Sequence, residues 1–167
     1  MRLILGRDVP RYRTAPEALT RRALAAILLL LTLAPLNGCV GPARSSAAYV
    51  DKGESSAAAS LSAVRSAELA IDDLRRDGLF APQLSIVMSN AADEASSAEG
   101  TFASIEPPDP SLDRYREELD AVLGEATDAL AAMRIDARRT DSSGLLVRAE
   151  GLPRIAQELE RFAGDQA

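Results

Sequence analysis

Eight residues between Leu112 and Ala137 constrain the fold of this chain more than any others. Leu112, Tyr115, Leu119, Val122, Ala126, Leu130, Met133 and Ala137 recur at steps of three or four, with charged residues between them. At 3.6 residues per turn, every third or fourth side chain returns to one face of a helix, whereas a strand alternates every second residue. Asp113, Glu117 and Glu118 sit early in this stretch and Arg134, Arg138 and Arg139 sit late, the order that the helix dipole favours. Asp109 supplies an N-cap and Pro110 a first-turn residue. A helix is therefore predicted over 110–139.

The same period recurs on both sides of it. Upstream, Val50, Ala57, Val64 and Ile71 repeat every seven residues with Leu61, Ala67 and Leu74 between them. This predicts a helix over 49–77, weakened at its start by Gly53 and Ser55-Ser56 and closed by Gly78. Leu84, Val87, Ala91, Ala95, Ala98, Phe102 and Ile105 predict a second helix over 82–105. It opens at Pro82 and stops at the prolines of Glu106-Pro107-Pro108-Asp109-Pro110. After a turn at Thr140–Gly144, capped by Asp141 or Ser142, Leu145, Ala149, Leu152, Ile155, Leu159 and Phe162 predict a last helix over 142–163. Gly151 and Pro153 introduce a kink near 151–153 or divide the stretch into two short helices. Abundant alanine and few aromatics speak against a β-sandwich. The expected domain is all-α, an antiparallel up-down-up-down four-helix bundle over 49–163, with residues 164–167 fraying.

What the chain lacks narrows its chemistry. With no His, it has no Ser-His-Asp or Cys-His nucleophilic site, no His-ligated zinc and no Glu-x-x-His pair of a di-iron bundle. One Cys excludes an internal disulfide. Charge is unevenly spread. Residues 1–38 hold six Arg against Asp8 and Glu17; removing these from totals of 19 basic and 25 acidic residues leaves 13 and 23 beyond residue 38, a balance of −10. A domain so acidic repels nucleic acid, and none is expected as a partner.

The first 38 residues look like an address. A basic segment ending in Arg21-Arg22 leads into the apolar run Ala23–Leu36, broken only by Thr32 and Pro35, and then Leu36-Asn37-Gly38-Cys39. Fourteen residues fall short of the roughly 18–20 that a permanent span requires. The tetrapeptide resembles the lipobox of bacterial lipoproteins: aliphatic, variable, small, then Cys. Asn37 departs slightly from the small or β-branched residue usual at the second position. The resemblance implies that the Cys39 thiol receives a diacylglycerol, that a signal peptidase recognising Leu36, Asn37 and Gly38 cleaves before it, and that two or three acyl chains anchor the domain. Thr20-Arg21-Arg22-Ala23-Leu24-Ala25 resembles a weak twin-arginine signal, so the general and the twin-arginine export routes both stay open. The long segment before it fits a start further along the chain. Residues 39–48 read as the lipidated Cys and a short flexible tether. In type, the mature chain resembles the small Ala- and Arg-rich helical lipoproteins of GC-rich bacteria.

Candidate sites beyond Cys39 are sparse. Asp72-Asp73, Asp93-Glu94 and Asp113 with Glu117, Glu118 and Asp120 are local acidic clusters, but neighbouring positions on a helix point about 100° apart and match no calcium loop. Lys52 with Ser55 and Ser56 has the residue types of a Ser-Lys dyad, placed at an exposed helix start where the lysine is not desolvated. Phe102, Tyr115 and Phe162 fit core stripes. Tyr49, beside the tether, and Phe80, in the turn before Pro82, are the candidate partner contacts. The expectation is a non-catalytic, membrane-anchored binding or scaffolding module on the extracytoplasmic side of the cell membrane, with an envelope protein as partner and no metal or cofactor. The alternative is a carrier of a small apolar or cationic ligand held between helices beside Phe102 and Met133.

Overall fold

Residues 45–76, 78 and 81–164 are described by a computed structural model. They are all-helical: α1 (Ser46–Arg75), α2 (Ala81–Ala103), α3 (Asp113–Arg138), α4 (Ser142–Ala149) and α5 (Leu152–Ala163), with one turn of 3-10 helix at Pro110–Leu112. No strand occurs among the described residues.

Local chemistry places each boundary. Ser45 accepts the Ala48 N–H through its Oγ at 3.2 Å, so α1 begins three residues before the predicted start and takes in the last of the expected tether. Ala47 and Ala48, strong helix formers, favour that extension. Asp109 does cap with its side chain, accepting the Ser111 N–H at 2.8 Å, but the turn it opens is 3-10 and the α-helix begins only at Asp113. Asp141 accepts the Gly144 N–H at 3.0 Å and opens α4. Of the two expectations near residue 151, the structure shows the two short helices, separated between Ala149 and Leu152. Pro153 thereby falls in the first turn of α5, where its missing N–H leaves no bond unmade. α2 ends two residues short of the predicted limit, with Ile105 still buried just beyond it.

Side-chain pairs show how the helices run. Near its start α3 sends Arg116 to the Ile105 carbonyl and to Glu106 beyond the end of α2, while near its end Arg134 meets Asp93, so α2 and α3 are antiparallel. Arg65 of α1 meets Glu160 of α5, and Gly164 lies against Glu54, the same relation. Arg154 pairs with Glu125, while Phe162 stacks on Tyr115, making α3 and α5 antiparallel too. The start of α1, the end of α2, the start of α3 and the end of α5 consequently gather at one end, and α4 lies at the other.

The core divides its bulk unequally. α1 and α2 contribute mainly small residues, including Ala57, Ala63, Ala67, Ala91, Ala92 and Ala95. α3 and α5 contribute Leu119, Leu123, Leu130, Met133, Leu152, Ile155 and Leu159. Large opposite small lets the layers interdigitate. The predicted stripe on α1 needs one correction: Val50 is only half-buried, and Tyr49 and Gly53 take the inner face with Ala57. A phenol ring gains more from burial than a valine, and turning Tyr49 inward rotates Val50 off the face by 100°. Gly53, expected to weaken the helix, is instead required there. A Cβ on it would collide with the Tyr115 hydroxyl and lie 3.0 Å from Leu119 Cδ2.

One buried charge ties α4 to α3. Asp136 is nearly inaccessible, and its carboxylate accepts the Arg148 Nε–H at 2.6 Å while its carbonyl accepts the Asp141 N–H at 3.0 Å. That last bond closes the end of α3 around Thr140, whose φ of 54° is left-handed and costly for a β-branched residue.

Two substitutions test these contacts. Gly53→Ala is expected to lower unfolding free energy by about 1–3 kcal/mol in urea titrations, and adding Tyr115→Phe to recover part of the loss, since the hydroxyl is the first atom struck. An identical penalty with and without the hydroxyl would contradict that geometry. Thr140→Gly should raise stability by about 1 kcal/mol by removing the left-handed strain; an unchanged or lower melting temperature would count against it.

Candidate functional site

Leu36, Asn37, Gly38, Cys39 and Phe80 lie outside the described residues, as do 39–44 of the expected tether. Tyr49 is described and is not the exposed contact its position suggested: it is 0% exposed. Its ring lies 5.4 Å from Phe102 and 6.3 Å from Tyr115, while Tyr115 lies 6.4 Å from Phe102 and 5.8 Å from Phe162. Every described aromatic thus belongs to one cluster, drawn from four helices at the end where α1 begins. Tilted and edge-on contacts of this kind suit the ring quadrupoles. The hydroxyls of Tyr49 and Tyr115 are both buried without a hydrogen-bond partner among the described residues. Burial pushes both phenols up, Tyr115 to about 12 with the Glu54 carboxylate adding to the effect.

This cluster also removes the expected ligand space beside Phe102 and Met133. Phe102 is packed between the two tyrosines. Met133 is buried next to Arg134, which is level with Asp93, nine residues or about 14 Å along α2 from Phe102. Antiparallel helices put the two side chains too far apart to line one pocket.

Part of each acidic cluster is drawn onto arginines, while Glu94, Asp113 and Glu117 form no ion pair with another described residue. Asp72 pairs with Arg75, Asp93 with Arg134, Glu118 with Arg114 and Asp120 with Arg116. Among the described residues no group of three or more His, Cys, Asp or Glu is placed to hold a metal ion. Exposed pairs of this type add little stability individually.

Two surface grooves flank α1. One of about 540 Å³ lies between α1 and the α4–α5 break, where Arg65 pairs with Glu68 and Glu160 and Arg75 with Asp72. The other, of about 430 Å³, lies between α1 and α2. Lys52, Ser55, Ser56 and Ala59 form one wall and Glu94, Ser97, Ala98 and Thr101 the other. Here the structure brings together residues that the sequence showed only in part. Lys52, Ser55 and Ser56 stood out as a local group; their partners on α2 did not. A signal was present, since both walls follow the same spacing of i, i+3, i+4 and i+7, a polar stripe beside each apolar one.

The large exposed aliphatics lie away from the aromatic cluster. Leu69 near the end of α1, Ile86 near the start of α2, Ile135 near the end of α3 and Val147 on α4 are all solvent-facing, and Ile86 and Ile135 stand about level on neighbouring helices.

The shifted phenol gives a pH dependence with a definite sign. An unfolded tyrosine ionises near 10, whereas folded Tyr115 holds its proton to about 12, so its contribution is complete below pH 10 and is lost as pH rises from about 10 toward 12. Absorbance at 295 nm and circular dichroism followed together should show the Tyr115 tyrosinate forming only as helicity falls, with Tyr115→Phe moving alkaline unfolding to higher pH. Ionisation of Tyr115 near pH 10 with helicity intact would contradict this. Among known proteins, no family model, no curated protein and no solved structure matches the chain, so function is read from its own residues and geometry.

Proposed function

We propose that this chain is a lipid-anchored protein of the bacterial cell envelope, acting as a non-catalytic binding or scaffolding module on the extracytoplasmic side. The observation that carries the reading is the succession of basic segment, fourteen-residue apolar run and Leu36-Asn37-Gly38-Cys39 directly ahead of a helical domain. Cys39 supplies the nucleophilic sulfur for the lipid, and Gly38 leaves the backbone open to the peptidase. Six residues separate Cys39 from Ser46, a reach of about 20 Å when fully extended, so the domain stays close to the anchoring surface.

In this reading α1, α2, α3 and the α4–α5 pair are the four arms of an up-down-up-down bundle, the last arm broken at Glu150-Gly151. Leu69, Ile86, Ile135 and Val147 lie toward the end opposite the aromatic cluster, and exposed aliphatics there support an envelope protein as partner. The chain's lack of His, together with carboxylates paired singly to arginines, supports binding rather than catalysis.

The anchor is tested by fractionating a bacterial host expressing the wild type or Cys39→Ser and measuring the mass of each product. The wild type is expected in the membrane fraction with a diacylated Cys39 at its N-terminus, and Cys39→Ser without lipid and uncleaved at that site. Identical mass and distribution for both would overturn the anchor and return Ala23–Leu36 to consideration as a retained helix.

A further inference from the structure

We propose that the polar groove between α1 and α2 binds a short zwitterionic peptide of three small residues, its carboxylate at Lys52 and its ammonium at Glu94. This goes beyond the lipid-anchor reading and does not depend on it.

Four features of the groove support this. First, its terminal charges are unspent. Lys52 is the chain's only lysine, and neither it nor Glu94 forms an ion pair with another described residue, whereas Arg65 and Arg75 beside the neighbouring groove are both paired. Second, a hydroxyl on the groove floor is unused. Ser56 is 6% exposed, lines the groove, and makes no hydrogen bond to another described residue. Ser55 and Thr101, by contrast, are turned onto the carbonyls of their own helices, Asp51 at 2.9 Å and Ser97 at 2.7 Å. Open to the groove, that hydroxyl is free to bond a ligand's polar group in place of water.

Third, the dimensions select a length. Because α1 and α2 run oppositely, Lys52 is level with Thr101 and Glu94 with Ala59. Seven residues of helix separate the two levels, about 10 Å, and an extended peptide covers about 10 Å in three residues. Fourth, the lining matches a peptide backbone. The Ser56 and Ser97 hydroxyls can donate or accept, those of Ser55 and Thr101 can still accept, and Ala59 and Ala98 keep the floor low. A dianion is disfavoured by Glu94, and a nucleic acid by the acidic surface around it.

The test titrates the full chain with trialanine, following heat and backbone amide shifts. One-site saturable binding is expected, with shifts centred on Ser56, Ala59 and Ala98. N-acetyl-trialanine and trialanine amide should each bind about tenfold more weakly, since each loses one charge-assisted contact. Lys52→Met should weaken trialanine about tenfold yet leave trialanine amide unchanged, and Glu94→Gln should do the same for the N-acetyl form. Both substitutions are on the surface and leave the core untouched. Failure of trialanine to saturate at millimolar concentration, or equal affinity for free and blocked peptides, overturns the proposal. So does occupation of the groove by a helix of a partner protein with no response to trialanine.

Discussion

The close approach of α1 to its neighbours is the constraint on which the rest of this structure depends. Its inner face is Gly53, Ser56, Ala57, Ser60, Ala63, Ala67 and Ala70, with only Tyr49, Leu61, Val64 and Ile71 larger. Burying an alanine methyl yields about 0.8 kcal/mol, well below what a leucine contributes. A helix so lined gains enough only if neighbouring backbones come close and dispersion contacts accumulate over its length. Gly53 marks the extreme, where the phenol of Tyr115 occupies the space a Cβ would need.

That economy of bulk explains the division of labour around the core. Leucines on α3 and α5 fill what the alanines of α1 and α2 leave, and the four described aromatics close one end together. The opposite end is held differently. There the buried Asp136 carboxylate on Arg148, and the carbonyl of the same residue on the Asp141 N–H, fasten the short α4 to α3. An aromatic plug and a charged clamp thus occupy opposite ends of one apolar core.

Small residues also shape the surface. Where α1 and α2 meet, Ala59 and Ala98 leave a depression rather than a ridge, and the hydroxyls and unpaired charges beside it give that depression a polar character. The same feature that lets two helices pack closely therefore opens a groove between them. Proposed lipid anchor and proposed peptide groove belong to different parts of the chain, and each stands on its own residues.

Sequence alone determined the all-helical class, because a 3.6-residue apolar period is a local property that no tertiary contact has to supply. Caps were legible for the same reason: Asp109 and Asp141 act on N–H groups two or three residues away. Chain direction, in contrast, had to be read from pairs such as Arg134–Asp93, and the orientation of Tyr49 from rings on two other helices. Val50 and Tyr49 are adjacent, apolar enough for either to face inward, and only the room made by Gly53 and filled by Tyr115 decides between them. The groove lay in plain view as two matching polar stripes, 52–59 and 94–101, yet nothing local says that these stripes face each other. Tertiary structure decided that, because the register of two antiparallel helices is set by long-range contacts between residues some forty positions apart.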